Sequence, residues 1–237
     1  LIARAALLGA CALLLGSAGA EAQRMRMREG GPNMANPSAV VAAELGFARL
    51  AQTEGQWTAF RETADKDAVM FVPDAVNAQA WLRKRADPAQ PVKWQPYRVF
   101  VSCDGSHALS TGPWTGPDGT SGTFSTIWRR QKDGGWKWIV DFGSATKIPA
   151  QQDVSIEGRI AQCSRPDERR ERGKPPERKV VAIPNPPPAS GEGQSGDGSL
   201  RWRWAKGDTE TLFTVTMRTA TGEEEVLHET APAPGAS

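Results

Sequence analysis

Tyrosine is almost missing from this chain: one in 237 residues, against nine tryptophans. Histidine occurs twice and cysteine three times, without the close pairing that holds zinc. An excess of either charge is missing too. Lys and Arg number 29 against 27 Asp and Glu, a net of +2, which gives no electrostatic reason to expect a nucleic-acid partner. No phosphate loop, dinucleotide fingerprint or nucleophile elbow occurs. Pro186-Pro187-Pro188 and the glycines of 191–198 are linker composition. These absences point away from nucleotide, metal and serine-nucleophile chemistry, and no cofactor is expected. The apolar run within residues 1–22 is too short for a comfortable membrane span.

That run reads as a secretory leader. Arg4 supplies the positive start and residues 5–15 the apolar centre. Ala18-Gly19-Ala20 and Ala20-Glu21-Ala22 are small-x-small cleavage sites. Leu8-Gly9-Ala10-Cys11 has the spacing of a lipid-attachment box, but the apolar run continues past Cys11, which favours ordinary cleavage. The expectation is a periplasmic or secreted protein with no membrane contact once the leader is removed. There Cys103 and Cys163 are open to two readings, a bridge or two separate thiols. A bridge would tie the tail to the central sheet and stabilise it by roughly 3–5 kcal/mol in the chain-entropy account.

What is plainly present is a β-hairpin over residues 121–143. Its first arm alternates, with Phe124, Thr126 and Trp128 on one face and Ser125, Ile127 and Arg129 on the other. Its second arm aligns Trp136, Trp138, Val140 and Phe142 on one face, and Lys137, Ile139 and Asp141 on the other. Lys132-Asp133-Gly134-Gly135 supplies the turn. Upstream, residues 23–36 are basic and read as a flexible segment. Pro37-Ser38 opens a helix with Val40, Val41, Leu45 and Ala48 at helical spacing, running on to Leu50 and Ala51. Residues 56–63 make a second helix, 67–73 a strand and 77–84 a third helix. Residues 92–103 form a strand that Pro96 confines to an edge or a bulge, and 107–114 another strand. Helices at one end and a meander at the other make an α+β arrangement.

The order of elements and several short motifs resemble the nuclear transport factor 2-like superfamily, which includes SnoaL-like proteins and ketosteroid isomerases. The closer resemblance is to secreted bacterial members whose domain has no known function. The matching residues are Trp94-Gln95-Pro96, Thr111-Gly112-Pro113-Trp114, Gly122 with Trp128-Arg129-Arg130, and Trp136-Lys137 with Asp141-Phe142-Gly143. The segment 102–107, Ser-Cys-Asp-Gly-Ser-His, departs from the family's pattern. Over residues 37–147 the resemblance implies a cone, a curved antiparallel sheet covered by N-terminal helices around a concave pocket. It implies no particular reaction, because that superfamily hosts enzymes, carriers and assembly modules.

Residues 148–199 read as a charged, Pro- and Gly-rich linker. Residues 200–230 regain strict alternation and read as a three-stranded β-meander too small to stand alone, followed by a disordered tail at 231–237. Inside the cone, Trp81, Trp94, Trp114, Phe124, Trp128 and Trp138 either line a site for a small apolar or aromatic ligand or serve as core. Acid–base chemistry in such a pocket needs a carboxyl or a histidine aimed inward. Asp141 and His107 are the candidates. The alternation places Asp141 away from the apolar face, beside Lys137 or Arg129, as an ion pair, and His107 follows a turn. Three functions follow as expectations: a ligand-binding protein, an acid–base enzyme using Asp141 or His107, and an assembly module that forms a homodimer through the sheet's outer face.

Overall fold

A computed structural model describes residues 34–145, 155–163 and 189–233. The leader and Cys11 lie outside them. Asn36 caps the first helix by accepting the Ser38 amide at 3.0 Å, and Pro37 sits where its missing N–H costs nothing. Helix α1 (Pro37–Thr53) and helix α2 (Gln56–Thr63) lead into β1 (Ala64–Phe71), β2 (Ala75–Asn77) and a short α3 (Ala78–Leu82). Then come β3 (Lys93–Trp94), β4 (Arg98–Val101), β5 (His107–Thr115), β6 (Ser121–Arg130), β7 (Trp136–Ser144) and β8 (Glu157–Ile160). The chain finishes with β9 (Ser190–Gln194), β10 (Leu200–Lys206), β11 (Glu210–Thr219) and β12 (Gly222–Pro232).

The first sheet has eight strands in the order β2-β1-β7-β6-β5-β4-β8, with β3 also paired to β5. It is mixed, which corrects the expectation of an antiparallel sheet. β1 runs parallel to β7, and β8 runs parallel to β4. The expected strand at 92–103 is broken in two where Pro96 interrupts it. β5 carries Gly112 opposite the break, and a Cβ there would sit 2.0 Å from the Gln95 carbonyl oxygen.

Two strands fall inside the segment read as a linker. β8 joins the first sheet, and β9 opens a second, antiparallel sheet ordered β12-β11-β10-β9, so the meander has four strands rather than three. Gly191 and Gly193 gave β9 its linker look. The Trp204 and Trp202 rings lie so close that a Cβ would sit 2.1 Å from the first at Gly191 and 2.3 Å from the second at Gly193. Glycine there makes room for the neighbouring rings.

The fold is three layers with two cores. α1 and α2 cover one face of the first sheet, with Val40, Phe47, Phe60, Met70, Val101, Trp128 and Trp138 between them. The second sheet covers the other face. Val69, Phe100, Leu109, Ile127, Val140 and Phe142 meet Leu200, Trp202, Trp204, Phe213, Val215 and Leu227 there.

β7 serves both cores because it bulges. Ile127 of β6 stands opposite Val140, yet the next residue, Trp128, stands opposite Trp138, so Ile139 is an extra residue. A one-residue slip moves every later side chain to the opposite face. Trp138 therefore points to the helices, while Val140 and Phe142 point to the second sheet. The single apolar stripe read from the sequence is two stripes on opposite faces.

Candidate functional site

The bulge decides where Asp141 goes. It pairs with Thr126 across β6–β7, on the helix-covered face, and accepts a hydrogen bond from Thr126 Oγ1 at 3.0 Å. The ion pair expected with Lys137 or Arg129 is not made. Arg129 bridges to Asp65, and Lys137 donates to the Glu62 carbonyl. Asp141 instead lines a cavity of about 160 Å³ between the helices and the sheet. Burial pushes its carboxyl up to about 7, the Thr126 hydrogen bond opposes the shift, and the charge of Glu44 adds to it.

The cavity walls are aromatic. Phe47 comes from α1, Phe60 from α2, Trp94 from β3, Trp114 from β5 and Phe124 from β6, with Val92 and Thr126 between them. Phe47 packs edge-to-face on both Phe60 and Trp94, with ring centroids 4.8 Å apart in each case. The Trp114 indole N–H donates to the Thr123 carbonyl at 3.1 Å, which holds that ring at the start of β6.

Glu44 of α1 is buried to 0 % exposure. Its Oε1 accepts from the Trp94 indole at 2.7 Å, and its Oε2 accepts from Ser110 Oγ at 2.5 Å and from the Trp128 indole at 3.0 Å. Burial raises its pKa above the ordinary glutamate value, and the three donors work against that. Its clearest role is architectural. One carboxyl group ties the Trp94 indole of the cavity wall to the Trp128 indole and the Ser110 hydroxyl of the core.

The candidates from sequence scatter. Trp94, Trp114, Phe124 and Asp141 come together at the cavity. Trp128 and Trp138 are core residues below it, and the Trp138 indole donates to Thr63 Oγ1 at 3.0 Å. Trp81 packs on Trp57 at 5.2 Å and carries the Arg85 guanidinium over its ring, apart from the residues that line the cavity. His107 stands on the sheet's other face, 5.3 Å from the Trp202 ring, with Ser106 Oγ 2.9 Å from its Nδ1. The two acid–base candidates are thus separated by the sheet.

Phe47, Phe60, Thr126 and Glu44 were missed. The first helix buries Val40, Glu44, Phe47 and Ala51, a stripe at helical spacing that includes a carboxylate, whereas Leu45, read as inward, is 42 % exposed. The signal was there in Phe47 at i+7 from Val40. A charged residue at i+4 hid it.

Cys103 and Cys163 form a disulfide, with Cα atoms 5.2 Å apart. It lies beside two interlocked turns of like sequence, Ser102-Cys103-Asp104-Gly105-Ser106 and Ser195-Gly196-Asp197-Gly198-Ser199. Asp104 Oδ2 accepts the Asp197 amide at 3.0 Å, Ser106 Oγ the Gly196 amide at 3.2 Å, and Ser199 Oγ the Cys103 amide at 2.9 Å. No group of three or more His, Cys, Asp or Glu side chains placed to hold a metal ion occurs among the described residues.

Compared with protein-family profiles and with curated proteins, the sequence matches none. Among solved structures it is similar to a nuclear transport factor 2-like superfamily protein from Salmonella enterica, at 10% identity and TM-score 0.38. That match covers 49% of this chain and 96% of the other. A nuclear transport factor 2-like protein with a cystatin-like fold from Novosphingobium aromaticivorans matches at 14% identity and TM-score 0.36, over 57% and 94%. The Δ5-3-ketosteroid isomerase of a Mycobacterium species matches at 18% identity and TM-score 0.33, over 46% and 93%.

Proposed function

We propose that this chain is a nuclear transport factor 2-like binding protein that holds one small, largely apolar molecule between its helices and its first sheet. The observation that carries the reading is the cavity itself. Five aromatic side chains from five elements converge on about 160 Å³ of space with a single carboxyl group in its wall. A cavity of about 150 Å³ lined by apolar groups takes a guest the size of benzene, which sets the ligand's scale. The leader and the disulfide together support export to an oxidising compartment.

The test is titration with a panel of single-ring aromatics and compact branched alkyl compounds, neutral and charged, followed by tryptophan emission. Trp94 and Trp114 border the cavity, so a bound guest is expected to change emission saturably at one site per chain. A panel without any saturable response overturns the reading.

The position of Asp141 favours a second reading, an acid–base enzyme. A carboxyl group that titrates near neutrality and faces an apolar cavity can take a proton from a bound molecule and return it. In that case Asp141→Asn keeps binding and loses turnover. His107 has no part in it, because it lies on the opposite face of the sheet.

A further inference from the structure

Among the described residues the cavity holds a carboxyl group and no basic side chain. Among its lining residues only Asp141 is ionisable. The charged groups on the surrounding elements are engaged elsewhere or carry the same sign. From α1, Glu44 adds a second carboxyl. From α2, Arg61 is held by the Leu82 and Arg85 carbonyls. From β1, Asp65 takes Arg129 of β6, and Lys66 stands by Asp67. From β7 itself, Lys137 reaches the Glu62 carbonyl, and Lys93 of β3 is exposed. Among the described residues Asp141 is thus left with one hydrogen-bond donor, the Thr126 hydroxyl, at the wall of a largely apolar cavity where it is half-buried. A carboxylate so placed costs free energy until a partner of opposite charge arrives. Rings of Trp and Phe around it attract cations through their electron-rich faces.

We propose that the cavity's ligand is a small organic cation, an alkylated ammonium group seated among the Phe47, Phe60, Trp94, Trp114 and Phe124 rings with its charge against Asp141. This rests on the binding reading above and adds to it the ligand's charge. The ammonium supplies the missing counter-ion, and its alkyl groups fill the aromatic walls. The cavity's size suits a tetramethylammonium- or choline-sized group and not a long chain.

Binding then requires Asp141 to be ionised. Its proton is held up to about pH 7, so the cation must displace it at lower pH. Affinity is expected to fall about tenfold for each pH unit below that, roughly 100-fold between pH 8 and pH 5.

The experiment compares choline with its uncharged isostere, 3,3-dimethyl-1-butanol, by calorimetry and tryptophan emission on the full chain at pH 8 and pH 5. The expected result is choline binding at least about tenfold tighter at pH 8, with that preference gone at pH 5 and the isostere indifferent to pH. Asp141→Asn is expected to lose the preference and keep the isostere, and that retained binding reports that its cavity has formed. Equal affinity for the two at pH 8 overturns the inference and leaves the binding reading standing. So does binding of neutral rings with no response to choline or tetramethylammonium. Failure of every neutral and charged probe overturns both.

Discussion

Asp141 is expected to make this protein's stability depend on pH. Asp141 holds its proton to about 7 in the folded chain, whereas an unperturbed aspartate releases it near 3.8. Between those values the folded state carries a proton that the unfolded state has lost. Stability therefore falls as pH rises through that window and is level above it. At about 1.4 kcal/mol for each pH unit the effect reaches up to about 4 kcal/mol. Asp141→Asn removes it, so the variant is expected to exceed the parent in urea midpoint at pH 8 and to match it at pH 4. Equal gains at both pH values would mean that the carboxyl titrates normally. Glu44 and Glu229, raised in the same direction by burial, keep a residual slope in the variant. Neither residue's place could be read from composition. A carboxylate in a helix looks like a solvent-facing group until Trp94, Trp128 and Ser110 are seen to donate to it, and those partners are 50 to 84 positions away.

Among the elements, strands bounded by clear turn residues were legible in advance: β5, β6, β10 and β11 lie close to where the pattern put them. β7 was legible as a strand but not in its facing. The extra Ile139 leaves composition and alternation untouched while sending Val140 and Phe142 to the other core and Asp141 into the cavity. A bulge is set by the pairing partner, and one strand's letters do not show it. β9 was hidden for the opposite reason, because its glycines answer to tryptophans of the next strand. This gives a direct comparison. Gly193→Ala puts a Cβ against the Trp202 ring and is expected to cost about 1–3 kcal/mol in chemical denaturation. Gly46→Ala, at an open position inside α1, is expected to add about 0.5–1 kcal/mol. Equal effects at the two positions would show that β9 does not pack on β10 as described.

For the molecule as a whole, the disulfide and the second sheet act together. Cys103 and Cys163 are 60 positions apart, and closing a loop of that length is worth about 4 kcal/mol in the chain-entropy account. A Cys103→Ser, Cys163→Ser double variant is expected to lose up to that amount in urea denaturation, and dithiothreitol to reproduce the loss in the parent. Indifference to both would mean the thiols are not joined. The second sheet also covers the outer face that a sheet-to-sheet homodimer would have used, with Trp202, Trp204, Phe213 and Val215 filling it from within the same chain. That cover comes late. Phe100, Leu109, Ile127, Val140 and Phe142 are made well before residues 200–227, and the apolar face they form has no partner until those residues follow. During synthesis the first sheet passes through an interval with one side bare, sticky towards its neighbours. Contacts between residues so distant in sequence form slowly. Delay in supplying the last strands is thus a point at which this chain is expected to be exposed to aggregation.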